Sequence, residues 1–209
     1  MLFRSAEFGS SVAVTFSRGA NSVLKTVTGN GTTPVPVTLN ASDLTGLGDG
    51  SISVSAIATD AAGNTSAAGT TSFTLDTLAP SVTSVDVSGS GITSGAGYLK
   101  AGAVVSFTLN TSEAVTVITS GGTPSLSLNS GGSAIYTGGS GTTGLSFAYT
   151  VDVTDNAADL SITALNANGA TLSDAAGNIF ASFANNPAGT LVIDTIAPNA
   201  PATSPAEQG

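Results

Sequence analysis

The chain has 209 residues, of which 41% are hydrophobic and 8% charged, and its 13 acidic and 4 basic residues give a formal net charge of −9. This balance argues against nucleic acid and anionic membrane surfaces as partners and favours cations. Because Cys and His are absent, disulfides and the Ser–His or Cys–His pairs of nucleophilic enzymes are excluded. No run of about 18 apolar residues is present, so no membrane insertion is predicted.

The two ends of the chain differ in composition from its middle. Residues 1–10, MLFRSAEFGS, lack the apolar core of a signal peptide, and we interpret them as a non-native start. Residues 197–209 are rich in Pro and complete no element, which indicates the beginning of a linker to a next domain.

Alternation of apolar and polar residues predicts strands along most of the chain. The alternating segments are 12–16, 52–56, 73–75, 105–109, 115–117, 126–128, 145–151, 160–162 and 191–193. Gly, Asn, Ser and Thr cluster between them, as is typical of tight turns. PSLSL (124–128) fits either a separate strand or a bent continuation of its predecessor. The segment ASDLTGLGDG (41–50) fits a single helical turn capped by Ser42 or Asp43.

Two short phrases occur twice. TDAAGNTS (59–66) returns as SDAAGNIF (173–180), and LDTLAP (75–80) returns as IDTIAP (193–198). Their spacing is too long for a solenoid repeat and matches a β-sandwich of about 100 residues. The sequence therefore predicts an all-β chain of two tandem immunoglobulin-like antiparallel β-sandwiches, residues 11–77 and 78–196. The first is N-terminally truncated, because its opening strand is missing, and it should expose a sheet edge.

The positions of the repeated phrases predict a cation site. DAAGN lies between the last two predicted strands of each repeat as a hairpin tip, and the final strand then runs to the exit. In a rod of domains, the tip of the second domain faces the exit of the first, which brings Asp174 and Asn178 near Asp76. Glu113, in a predicted turn after the strand 104–109, is expected at the same end.

A set of ligands made up only of oxygen atoms suits a hard cation, and Ca²⁺ tolerates irregular coordination better than Mg²⁺. We therefore expect calcium to bind at the junction and stiffen it. Asp60 with Asn64, and Asp194, would serve junctions with further neighbours. The alternative is that these Asp and Asn residues only cap their turns.

With DAAGN, DT-x-AP and the segment GTPSLSLNSGGSAIYTGGSGTTGLSFAYTV (122–151), the chain resembles the bacterial immunoglobulin-like repeats of large secreted adhesins of the type I exported, RTX type. The resemblance covers most of residues 11–198. It implies a structural extender on the bacterial cell surface that supports adhesion or biofilm formation, with neighbouring repeats as partners. Several resembling families bind calcium between domains, and Asp76, Asp174 and Asn178 match those positions. The host or surface ligand of the parent adhesin stays unknown.

Other motifs favour structural interpretations. GSGTTG (139–144) precedes an alternating strand instead of a helix, so it predicts a turn and no nucleotide site. VDVTDNAAD (151–159) fits a solvated loop better than a second cation site.

An enzyme is not expected, because Glu113 is the only Glu between the start and the tail, and aromatic residues that would line a sugar cleft are scarce. The rival function is a carbohydrate-binding or accessory β-sandwich module of a secreted protein. That function would require Tyr98 and Tyr136 to be coplanar and exposed on one face.

Overall fold

The chain folds into two compact units, residues 1–78 (unit 1) and 79–209 (unit 2). The computed structural model describes residues 6–180 and 185–201 and the backbone of residues 2–3. The remainder of the predicted start (1, 4 and 5) and of the predicted linker (202–209) lies outside the described residues. The all-β prediction is confirmed, because strands dominate both units and nearly all strand pairs are antiparallel. Within the described ranges, no helix has the length and apolar character needed to cross a membrane.

Unit 1 is built on one antiparallel sheet. Its elements are β1 (Leu2–Phe3), β2 (Ser11–Arg18), β3 (Asn21–Thr28), β4 (Val35–Pro36), α1 (Ala41–Leu47), β5 (Gly50–Thr59) and β6 (Gly69–Leu75). Four strands pair in the order β3-β2-β5-β6, and β1 pairs with β4. Alternation along β2 and β5 buries Val14, Phe16, Ile52 and Val54 on one face, which packs with Leu47 of α1. Strand β6 is an edge of this sheet and is exposed except at its last residue.

Helix α1 is longer than the single turn predicted from the sequence, and its cap lies elsewhere. The N-cap is Asn40, whose Oδ1 accepts a hydrogen bond from the Asp43 amide at 3.0 Å. The Asp43 carboxylate accepts in return from the Asn40 amide at 2.7 Å, which completes a capping box. Lys25 forms an ion pair with Asp43 at 2.6 Å and so connects the helix to β3. Its hydrogen bond lowers the pKa of the Asp43 carboxyl.

Unit 2 has a larger, seven-stranded sheet. The strands of unit 2 are β7 (Val82–Ser88), β8 (Gly97–Leu99), β9 (Val104–Ile118), β10 (Ser125–Leu128), β11 (Ser133–Gly138), β12 (Thr142–Thr150), β13 (Ile162–Asn166), β14 (Thr171–Ser173) and β15 (Leu191–Ile193). The order is β13-β10-β11-β12-β9-β14, and β7 also pairs with β9. The predicted apolar positions Phe107, Leu109, Leu145 and Phe147 are fully buried in its core.

The predicted turn at Glu113 is wrong, because β9 runs through it without interruption. Thr111 and Val115 are buried on either side of Glu113, so alternation continues across the polar stretch. The Thr111 hydroxyl donates a hydrogen bond to the Glu113 carbonyl at 2.6 Å. This buried hydroxyl therefore has its hydrogen-bond partner within the strand. The segment after β9 holds a separate strand, β10, and this resolves the ambiguity over residues 124–128.

The predicted hairpin of the last two strands exists in unit 1, where β5 pairs with β6, and is wrong in unit 2. There β14 pairs with β9 and β15 pairs in parallel with β8. Among the described residues, the DAAGN loop of unit 2 closes a local bridge between Ser173 and Ile179. The return arm of that loop is therefore not the final strand.

The chain enters and leaves unit 2 at opposite ends. At the entry end, the Ser112 hydroxyl accepts a hydrogen bond from the Ser81 amide at 3.1 Å. At the exit end, the Asp194 amide donates to the Leu99 carbonyl at 3.0 Å, and Asp194 lines the same cleft as Val104. Val104 and Ser112 are both on β9, where a rise of about 3.3 Å per residue separates them by about 26 Å.

Candidate cation site

The DAAGN loop of unit 1 is organised around the Asp60 carboxylate. Its Oδ1 accepts from the amides of Ala62 at 2.9 Å and Asn64 at 2.8 Å, and its Oδ2 accepts from Asn64 Nδ2 at 2.7 Å. Gly63 has φ +90°, which a residue with a side chain rarely adopts. Asp, Gly and Asn at these spacings therefore account for the turn on local grounds.

The DAAGN loop of unit 2 repeats this arrangement. Asp174 Oδ1 accepts from the amides of Gly177 at 2.7 Å and Asn178 at 2.9 Å, and Oδ2 accepts from Asn178 Nδ2 at 2.8 Å. Gly177 has φ +95°. The turn-capping alternative of the sequence analysis therefore describes the local bonds of both loops.

Both loop carboxyls have lowered pKa values. Burial raises the pKa of Asp174, but the hydrogen bonds from Asn178 and the loop amides outweigh it, and the net pKa lies below 3.8. For Asp60, the side-chain hydrogen bond from Asn64 is the largest cause of the lowered pKa. Both groups are therefore anionic at neutral pH.

Unit 2 brings a second carboxylate next to Asp174. Strand β14 pairs antiparallel with the end of β9, with Ser173 opposite Thr116, so the chain after β14 continues along β9 in the direction of Glu113. A carboxylate oxygen of Glu113 lies within 4.8 Å of one of Asp174. Glu113, Asp174 and Asn178 therefore share one end of unit 2, although Glu113 reaches it from a strand and not from the predicted turn.

The two DT-x-AP segments also share one geometry. Asp76 Oδ1 accepts from the Leu78 amide at 3.1 Å, and Asp194 Oδ1 accepts from the Ile196 amide at 3.0 Å. The Thr after each Asp is held by a residue that the sequence analysis missed. Thr77 donates its amide to Asp49, and Thr195 donates its amide to Asn156, and no spacing in the sequence signals either partner.

The predicted ligand residues of unit 1 lie in two separate groups, and Asp194 lies away from the Glu113–Asp174 pair of unit 2. In unit 1, Asp60 and Asn64 follow the end of β5, whereas Asp76 follows β6, whose last residue pairs with the start of β5. The two motifs therefore lie at opposite ends of unit 1. In unit 2, Asp194 is at the exit end.

The loop 151–159 departs from the predicted solvated loop at Asp155, which is 5% exposed. Asp155 Oδ2 accepts from the Tyr149 hydroxyl at 2.7 Å and from the Asp152 amide at 2.8 Å. Ser130 Oγ lies 3.1 Å from the same hydroxyl. Burial, followed by the neighbouring carboxylates, raises the pKa of Tyr149 to about 12. This buried network holds the loop against the core strand β12.

The tyrosines do not form the exposed platform that a carbohydrate-binding module would require. Tyr98 is 85% exposed. Tyr136 is partly buried, and its ring packs edge-on against Phe147 with centroids 5.6 Å apart.

No protein-family model matches the chain, and no curated protein matches it. Among solved structures, one from a study of the host cell surface retention of a 1.5-MDa bacterial ice-binding adhesin is similar, with 27% sequence identity and a TM-score of 0.42. The similarity covers 91% of this chain and 55% of the solved chain, so this chain spans about half of that chain's length. Similarity at this TM-score does not establish a shared fold, and the function proposed below rests on the residues of this chain.

Proposed function

We propose that this chain is an extender of a bacterial cell-surface adhesin, a passive spacer of tandem immunoglobulin-like modules that supports adhesion or biofilm formation outside the cell. The observation that carries the proposal is the entry of unit 2 at Ser81 and Ser112 and its exit at Leu99 and Asp194, at opposite ends of β9. A module with this topology lengthens a chain with each copy. The same turn geometry at Asp60 and Asp174 supports a repeated unit.

The role is mechanical and not catalytic. The polar side chains at the repeated motifs are engaged in turns, and their carboxylates accept backbone amides. The partners of such a module are the neighbouring repeats of its own chain.

We propose that a calcium ion binds the Glu113–Asp174 pair. Two carboxylates within 4.8 Å of each other repel when both are ionised, and a divalent cation relieves that repulsion. A carboxylate oxygen can accept two bonds, so Asp174 Oδ2 can ligate a cation while it accepts from Asn178 Nδ2. Ca²⁺ takes about 6–8 oxygen ligands and tolerates irregular geometry, so backbone carbonyls and waters would complete the shell.

Asp76 is the proposed third carboxylate. It precedes Ser81 by five residues, and an extended chain covers at most about 17 Å over that length. Ser81 is hydrogen-bonded to Ser112, the neighbour of Glu113. Covalent connection therefore keeps Asp76 within reach of the Glu113–Asp174 pair, and an ion bound by all three would stiffen the joint. Asp60 with Asn64, and Asp194, would act in the same way toward further modules.

Calorimetric titration of the full chain with Ca²⁺ tests this site. We expect a dissociation constant of about 10⁻⁴–10⁻³ M, as in other extracellular modules. Asp76→Ala and Glu113→Gln should each weaken binding about ten-fold, since each removes one charged ligand. Asp152→Asn removes the same charge from an exposed loop and is the matched control, with unchanged binding. Equal affinity in all four proteins would show that the motifs only cap turns.

A further inference from the structure

The last strand of unit 2 forms the one parallel pair among the described residues. In that pair, Leu191, Val192 and Ile193 of β15 lie opposite Gly97, Tyr98 and Leu99 of β8. Leu191, Ile193 and Leu99 are buried, so the pair is part of the core.

The direction of these strands relative to the chain ends determines how they carry tension. Strand β7 starts at the entry end and runs toward the exit end, since Val82 lies opposite Thr111 and Ser88 opposite Ser106. Both β8 and β15 finish at the exit end. A pull on the two ends of unit 2 therefore draws β8 toward the entry, through β7, and β15 toward the exit. The two strands are sheared along their axes, so all the bonds between them are loaded together instead of one after another.

We propose that β15 and the loop that covers it form a mechanical clamp that sets the force at which unit 2 opens. The inference rests on the proposed extender function, because only a spacer that transmits tension would use such a clamp. It concerns the inside of unit 2 and does not depend on calcium.

The loop 153–160 reinforces the side of β15 that faces away from β8. Ala157 and Ile193 exchange two backbone hydrogen bonds, and Leu160 donates its amide to the Leu191 carbonyl. Side chains add to this ladder, since Asp159 Oδ1 accepts the Leu191 amide at 3.0 Å. Strand β15, from which the chain leaves unit 2, is therefore hydrogen-bonded along both of its edges.

Thr195 continues these hydrogen bonds beyond the end of β15. Its amide donates to Asn156 Oδ1 at 3.2 Å, and its hydroxyl donates to the Val153 carbonyl at 2.9 Å. Because Thr195 directly follows the strand and is only partly exposed, these bonds are the first that tension on the exit meets. The loop itself is fixed to β12 by the buried bond between Asp155 and Tyr149. Load on Thr195 thus passes into the core.

Single-molecule force spectroscopy on the full 209-residue chain tests the clamp. The chain has no Cys, so Ala79→Cys and Ala200→Cys define one pulling axis across unit 2. We expect Thr195→Val to raise the unfolding rate at constant force about five-fold, the equivalent of one net hydrogen bond. Thr163→Val is the matched control: the Thr163 hydroxyl donates to the Ser127 carbonyl at 3.1 Å, away from the load path. It should leave the rate within two-fold, as a surface change does.

A second pulling axis, between Ala79→Cys and Ser120→Cys, loads β7 and β9 and bypasses β15. Along this axis Thr195→Val should unfold at the unaltered rate. Equal rates for Thr195→Val and the unsubstituted chain along the first axis would overturn the clamp, as would an equal effect of Thr195→Val on both axes. None of these measurements involves calcium or adhesion. A negative result would therefore reject the clamp without rejecting the extender function.

Discussion

Removal of the Tyr149 hydroxyl is the sharpest test of the buried network in unit 2. Tyr149 and Asp155 are both almost completely buried, and the hydroxyl is 2.7 Å from Asp155 Oδ2 and 3.1 Å from Ser130 Oγ. In Tyr149→Phe, the carboxylate keeps the bond from the Asp152 amide at 2.8 Å, so it loses part of its solvation and not all of it. A hydrogen bond to a charged group contributes about 1.5–3 kcal/mol, and we expect a loss of about 2 kcal/mol.

Urea unfolding followed by tyrosine fluorescence measures this loss in unit 2 alone. All three tyrosines, Tyr98, Tyr136 and Tyr149, are in unit 2, so two reporters remain in the variant. With a slope of about 2 kcal/mol per molar urea, the midpoint should fall by about 1 M.

Tyr136→Phe is the matched control for that experiment. Its ring packs against Phe147, outside the network, and the expected change is below about 0.5 kcal/mol. A loss of less than about 0.5 kcal/mol in Tyr149→Phe, or the same loss in both variants, would refute the reasoning.

Three further predictions concern the loops and the helix. Folding lowers the pKa of Asp60 from 3.8. The ionised carboxylate therefore stabilises unit 1 fully at neutral pH, and this stabilisation disappears as the pH falls through and below 3.8. In thermal melts, Asp60→Asn should lose less stability between pH 6 and pH 3 than the unsubstituted chain. Gly132→Ala would place a Cβ 2.4 Å from the Tyr149 ring and should destabilise unit 2 by about 1–3 kcal/mol in urea, whereas Gly138→Ala, with no atom within 4 Å, should not. Asn40→Ala removes the α1 cap and should cost unit 1 about 1 kcal/mol in denaturation followed by circular dichroism.

Local patterns in the sequence are sufficient to predict many of the strands and the two DAAGN turns. Phe107 and Leu109 alternate with polar residues, and the structure buries both. The spacing of Asp, Gly and Asn in DAAGN specifies a turn by bonds within five residues, which is why Asp60 and Asp174 have the same partners. Such features depend on neighbours in the chain, so the sequence carries them directly.

The features that the sequence did not reveal depend on distant partners. The parallel pairing of Leu191 with Gly97 joins two strands that are far apart in the sequence of unit 2. Asp155 is in a loop rich in acids, yet it is buried, and its carboxylate accepts a hydrogen bond from Tyr149 of the core strand β12. The polar residues around Glu113 are typical of a turn, but buried Thr111 keeps β9 continuous. Tertiary packing overrides local preference at each of these sites.

Small-angle X-ray scattering of the full chain with and without Ca²⁺, compared with Asp76→Ala, tests the calcium-stiffened spacer most directly. Bound calcium should narrow the distribution of interatomic distances of the unsubstituted chain, because the ion joins carboxylates that otherwise repel. In Asp76→Ala the profile should not respond to calcium at the same concentration. A profile that is identical with and without calcium in the unsubstituted chain would contradict the account, as would an undiminished response in the variant.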